Sequence, residues 1–197
     1  KVNPLLYIPI AINKKTHTYH ECLRWMNSVF NPLGLKEIEL WSEKELGEKS
    51  FSELEGFGGV YIGGGNTFYL LKELRESGFL QKLKKLIKKD IPVYGGSAGA
   101  IICGKTILTS GDENFVGLKN FDAMNLVQGH DLWCHYEPRM DGGIRQYKKK
   151  YRMKIIALPE NCGLYVNNKD IEVVGPGSAY IVNGKMRKIR SGDKIRF

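Results

Sequence analysis

The chain carries no cysteine pair at metal or redox spacing. Its four cysteines, Cys22, Cys103, Cys134 and Cys162, are scattered and form no C-x-x-C, which argues against a zinc site and fits reduced thiols in a cytosol. Long apolar runs are also lacking. None approaches the roughly 18 residues of a membrane span, and no signal peptide opens the sequence. A cytoplasmic protein without membrane attachment is therefore expected. There is no G-x-G-x-x-G and no P-loop lysine, so nucleotide-binding readings fall well behind. Repeats, linkers and low-complexity segments are missing too. The 197 residues are expected to form one domain over 1–197, long enough to bury a core without disulfide or metal staples.

What the chain has in excess is positive charge: 30 lysines and arginines against 21 acidic residues, a net +9. Much of it sits in Lys82, Lys84, Lys85, Lys88 and Lys89, and again in Lys148, Lys149 and Lys150. In the first cluster Leu80, Leu83, Leu86 and Ile87 recur at helical spacing, which leaves the lysines on the solvent side. No aromatic interleaves them as a base-stacking platform requires. Nucleic acid is thus not an expected partner, and a weak attraction for small acidic substrates is what the charge leaves.

Strand and helix signals alternate through the first two-thirds. Leu5–Ile10, Ile38–Trp41, Gly59–Ile62 and Pro92–Tyr94 read as strands; Thr16–Phe30, Asn66–Ser77 and Phe79–Lys89 read as helices. Such alternation predicts a mostly parallel sheet flanked by helices, an α/β fold. After about residue 153 the pattern changes to short strands at Lys154–Leu158, Leu164–Asn167, Ile171–Val174, Ala179–Val182 and Lys185–Ile189. Asn167-Asn168, Gly175-Pro176-Gly177 and Asn183-Gly184 supply hairpin turns, so antiparallel C-terminal strands are expected.

Chemistry enters at Gly95-Gly96-Ser97-Ala98-Gly99-Ala100, between a buried strand and an apolar helix predicted over Ala98–Cys103. That is the setting of a nucleophile elbow: small neighbours permit the tight turn, the serine projects from the strand end, and the Ala98 N–H points toward an oxyanion. A second cluster, Gly63-Gly64-Gly65-Asn66-Thr67, also ends a strand and starts a helix. Gly65 is the expected second oxyanion donor, because such holes draw N–H groups from separate loops. Both clusters fall at the carboxyl ends of parallel strands, where open α/β sheets place their sites.

A serine needs a base, and the histidines are His17, His20, His130 and His135. The first two belong to the first helix. His130 and His135 differ by an odd number, so in an extended strand only one could face the serine. His135 is favoured, at the end of its segment beside polar Tyr136 and Glu137. Asp112 and Glu160 are the candidate orienting carboxylates. The residues by themselves reach Ser97 with a downstream histidine and acid, and no further.

The segments Leu6–Ala11, Gly63–Leu71, Tyr94–Ala100, Phe121–Leu126, His135-Tyr136 and Leu158-Pro159-Glu160, with Gly175-Pro176 and Arg196-Phe197, resemble the peptidase E (alpha-aspartyl dipeptidase) family in the same order along nearly the whole chain. The resemblance implies a class I glutamine amidotransferase-like fold and a Ser–His–Glu arrangement at Ser97, His135 and Glu160. Asp112 occupies the place of an aspartate also considered important there. It further implies a small peptide substrate with N-terminal aspartate, no metal or organic cofactor, and a substrate-side arginine that Gly143-Ile144-Arg145-Gln146 matches loosely, at Arg145. Arginine suits that task because it pairs bidentately with carboxylates. Monomer and homodimer are both compatible with the sequence. Two departures stand out. Family members begin with an additional strand and helix before the segment matching Leu5–Ile10, and the stretch from His135 to Glu160 is shorter here. The rival expectations are a cyanophycinase-like peptidase cutting beta-aspartyl bonds and a catalytically silent relative that binds a small acidic ligand.

Overall fold

A computed structural model describes residues 3–183 and 185–197. The chain divides into two compact units, one comprising the residues up to Ala100 with Gly111–Asn120, the other Ile101–Ser110 with Phe121–Phe197.

The first unit runs β1 (Leu5–Ile8), α1 (Tyr19–Phe30), β2 (Ile38–Leu40), α2 (Glu43–Glu48), α3 (Phe51–Leu54), β3 (Gly59–Ile62), α4 (Thr67–Glu76), α5 (Phe79–Ile87) and β4 (Val93–Gly95), and leads into the single turn α6 (Ala98–Ile101). The four strands form one parallel sheet in the order β2-β1-β3-β4. Ile8 pairs with Ile62 and Ile62 with Gly95, so the carboxyl ends of β1, β3 and β4 are level. Leu6, Ile8 and Ile62 are fully buried with Leu70, Leu71, Leu74, Leu83 and Leu86 from α4 and α5. This is the near-continuous apolar pattern that parallel strands covered by helices require.

Local chemistry sets the helix ends. α1 starts later than its periodicity suggests because Thr18 and Glu21 form a capping box, the Glu21 N–H on Thr18 Oγ1 at 3.2 Å and the Thr18 N–H on Glu21 Oε2 at 2.7 Å. α5 buries Phe79, Leu80, Leu83 and Leu86, each contributing about 1.5–3 kcal/mol. Its lysines are not all solvated, contrary to the sequence expectation. Lys82 is half-buried and donates to the Lys49 carbonyl at 2.7 Å and the Leu46 carbonyl at 3.3 Å, satisfying acceptors at the end of α2. Lys89 pairs with Glu55.

The second unit holds β5 (Asp131–Trp133), α7 (Asp141–Tyr151), β6 (Ile155–Ala157), β7 (Gly163–Asn167), β8 (Asp170–Val174), β9 (Ser178–Asn183) and β10 (Lys185–Arg190). Its larger sheet has the order β10-β9-β6-β5, with β5 parallel to β6 and the other pairs antiparallel; β7 and β8 form a separate antiparallel pair. A mostly parallel, helix-flanked sheet followed by antiparallel C-terminal strands is the fold class expected. The hairpin turn expected at Asn183-Gly184 involves Gly184, which lies outside the described residues. Lys148, Lys149 and Lys150 occupy the last turn of α7, where positive charge meets the negative end of the helix dipole.

Candidate active site

In the first unit, Ser97 follows β4 at φ 50°, a left-handed conformation that an L-residue occupies only at a cost of roughly 1–2 kcal/mol. The turn is possible because its glycines admit close backbone approach. A Cβ on Gly95 would stand 2.1 Å from the Gly99 carbonyl oxygen, and one on Gly99 2.2 Å from that of Ile62. The Gly96 N–H donates to Ile62 O at 3.0 Å and the Gly99 N–H to Gly96 O at 2.9 Å, which fastens the elbow to β3 and closes it. Ser97 is half-buried and Ala98 fully so. α6 is one turn, shorter than the predicted Ala98–Cys103, because the chain leaves the helix at Ile102 for a turn and the Gly104 N–H bonds Ile101 O at 3.0 Å. So short a helix adds little dipole, and stabilisation of an anion there falls to individual N–H groups.

The second glycine cluster packs directly on this elbow. A Cβ on Gly64 would lie 3.0 Å from Ser97 Cβ and 3.6 Å from Ser97 Oγ. Gly65 has φ 134°, and its position admits no side chain, with Ala11 O 1.9 Å from where a Cβ would stand. The Asn66 N–H reaches the same Ala11 oxygen at 2.7 Å, and Asn66 Oδ1 then accepts from the Tyr69 N–H at 2.9 Å to cap α4. Asp112 belongs to this unit. Its Oδ2 accepts from the backbone N–H and the hydroxyl of fully buried Thr67, both at 2.7 Å. The structure thus shows Asp112 holding the first residue of α4, at the positive end of that helix.

In the second unit, His135 follows β5 at φ 56°. Two main-chain bonds bracket it: Leu158 N–H to Trp133 O at 2.8 Å, and Tyr136 N–H to Leu158 O at 3.0 Å. Two residues beyond Leu158, Glu160 Oε1 meets His135 Nδ1. A carboxylate acceptor there means that Nδ1 carries a proton, which leaves Nε2 of the neutral ring to accept one. The histidine and glutamate side chains are 55% and 79% exposed. The alternation argument did not apply to His135, because β5 ends at Trp133 and the backbone has turned left-handed by residue 135.

His130 is engaged elsewhere. It is buried, its Nδ1 lies 3.1 Å from both Val127 O and Gln128 O, and its ring stacks on Phe197. Burial pushes its basicity below the usual histidine value. His17 and His20 are exposed, just before and within α1. Burial drives the thiols of Cys103 and Cys134 up to about 12, so neither is a thiolate at neutral pH. Arg145 lies on the exposed side of α7, with Nη2 donating to Asp141 Oδ2 at 3.1 Å. Sequence reasoning missed Asp141 and its contact with Tyr136; no periodicity or motif marks Asp141.

A serine on a left-handed elbow, backed by a second glycine loop at the carboxyl edge of a parallel sheet, defines the class: an α/β protein with a half-buried serine in the setting of a nucleophile elbow. The model of peptidase family S51 matches residues 1–174, and the chain belongs to that peptidase family. It is 29% identical over 150 residues to Peptidase E of Pasteurella multocida, an alignment covering 71% of this chain and 64% of that protein. It is 28% identical over 186 residues to Peptidase E of Shigella flexneri, covering 89% and 78%. It thus spans about two-thirds to four-fifths of the length of these relatives. The crystal structure of a peptidase from an acI-B1 Actinobacterium shares the fold, with a TM-score of 0.72 at 18% identity over 98% of this chain and 83% of that one. Among the described residues no helix is long and apolar enough to cross a membrane.

Proposed function

We propose that the chain is a serine dipeptidase that hydrolyses dipeptides with an N-terminal aspartate through an acyl-enzyme on Ser97. One observation carries the reading: the left-handed Ser97 with Gly64 packed against it, in a chain of peptidase family S51. His135 Nε2 takes the Ser97 proton as the hydroxyl attacks the peptide carbonyl, and the N–H groups of Gly65 and Ala98 hold the oxyanion. Glu160 fixes the tautomer that leaves Nε2 available and stabilises the imidazolium, which then protonates the leaving amine. Water enters by the reverse path and releases aspartate. Arg145 takes the substrate's side-chain carboxylate. Protonated cysteines beside these elements support serine rather than sulfur as the nucleophile. The reaction is placed in the cytoplasm, with neither membrane nor nucleic acid as partner.

Acid quenching during Asp-Leu turnover, followed by peptide mass spectrometry, tests this. An aspartyl ester on the peptide containing Ser97 is expected. Steady turnover with no adduct at Ser97, or an adduct on another residue, would refute the mechanism.

A further inference from the structure

The carboxylate of Asp141, first residue of α7, is engaged on both oxygens: Tyr136 Oη donates to Oδ1 at 2.7 Å and Arg145 Nη2 to Oδ2 at 3.1 Å. Tyr136 is 5% exposed and packs with Ile144, Met153, Ile155 and the Tyr180 ring. Burial and the Asp141 carboxylate both push its phenol well above the ordinary value, so the hydroxyl remains a donor. One bridge therefore joins the residue beside His135 to the arginine one helical turn into α7.

The bridge matters because of what lies beside it. A histidine at φ 56° does not hold that conformation unaided; neighbours must impose it. Backbone bonds to Leu158 impose it on both flanks, and the Tyr136 side chain is the third restraint, held by its apolar packing and, at its hydroxyl, by Asp141. On its other side Asp141 sets the rotamer of Arg145, a side chain with about 2 kcal/mol of rotamer entropy to lose and 52% exposed.

We propose that Asp141 is a positioning residue with two arms. Through Tyr136 it holds the left-handed turn that presents His135 to Glu160, and through Arg145 it aims the guanidinium that takes the substrate's carboxylate. The inference rests on the function proposed above, and the chemistry of the bridge lets the arms be cut separately. Tyr136→Phe keeps the ring and removes only the hydroxyl. Asp141→Asn keeps an oxygen to accept from Tyr136 but removes the charge that holds Arg145. Asp141→Ala removes both.

The experiment measures kcat and KM on Asp-Leu for the three variants, per serine titrated with a fluorophosphonate, with melting temperature alongside. Tyr136→Phe is expected to lower kcat about tenfold at near-constant KM, the worth of one hydrogen bond to a charged acceptor. Asp141→Asn is expected to raise KM about tenfold at near-constant kcat. Asp141→Ala combines the two losses, so the asparagine rescues kcat relative to alanine. A merely structural role would lower melting temperature and the titrated fraction while leaving both constants per active serine unchanged, and that result overturns the proposal. Amide exchange at Tyr136 and Leu158 is followed in parallel because it needs no substrate. Exchange about fivefold faster in Tyr136→Phe and Asp141→Ala, and at the wild-type rate in Asp141→Asn, is expected. A wild-type protein that cleaves no dipeptide defeats the substrate reading alone; unchanged exchange in all three variants defeats the brace.

Discussion

Replacing Gly64 by alanine puts one methyl group against the nucleophile. The new carbon would stand 3.0 Å from Ser97 Cβ and 3.6 Å from Ser97 Oγ. Ordinary contact between carbons begins at 3.4 Å, so the serine must give by a few tenths of an ångström. A displacement of about 1 Å at a reacting atom costs about 100-fold, so a shift of a few tenths should lower kcat/KM on Asp-Leu by about 3- to 10-fold. Overpacking of this kind costs about 1–3 kcal/mol, so the protein should still fold. Two companions frame the result. Gly99→Ala sets its methyl 2.2 Å from the Ile62 carbonyl oxygen, backbone against backbone, and is expected not to fold; Gly142→Ala meets nothing within 4 Å among the described residues and should behave as wild type. The assay is dipeptide hydrolysis with thermal melts on the same preparations. A folded Gly64→Ala protein with wild-type kcat/KM would show that the second glycine loop does not set the nucleophile's position.

Further expectations follow from the same geometry. Glu160→Gln should lower kcat by orders of magnitude, as losing an orienting acid does; Asp112→Asn keeps an acceptor for Thr67 and should cost about 0.3–1 kcal/mol of stability with turnover retained. Active Glu160→Gln beside dead Asp112→Asn reverses the assignment. Arg145→Met should raise KM for Asp-Leu by about 30-fold, the lower end of the cost of breaking a charge pair because the arginine is exposed; unchanged turnover removes Arg145 from the site. His130, with its basicity lowered by burial from the ordinary 6.5, binds a proton more readily unfolded than folded. Stability should then be full above about pH 6.5 and decline as pH falls below it. His130→Phe should flatten the melting-temperature profile between about pH 6.5 and 5.5, and an unaltered slope there contradicts the assignment.

Much of the first unit was legible because its signals are local. Gly59–Ile62 is a buried run with its strand pairing on both sides, and the α5 stripe of Leu80, Leu83 and Leu86 is buried as its spacing implies. The elbow was legible for the same reason, since Gly95, Gly96, Ala98 and Gly99 around a serine leave few backbone solutions. What escaped depends on distant partners. β5 is three residues whose strand character comes from pairing with β6, and its buried Asp131 accepts twice from Thr106, 25 residues away. α7 begins Asp141-Gly142-Gly143 and buries Ile144, too thin an apolar stripe to stand out. Asp112 finds Thr67 45 residues away, and the Asp141 bridge needs α7 folded back toward the His135 turn. Neither follows from composition or spacing.

The central claim is a serine peptidase with an acidic pocket. It is tested most directly by hydrolysis of Asp-Leu against Ala-Leu and Glu-Leu, in wild type and Ser97→Ala. Cleavage of Asp-Leu alone, abolished in Ser97→Ala, is the expected result. Cleavage that survives in Ser97→Ala, or folded wild-type protein that cleaves none of the three, would contradict it.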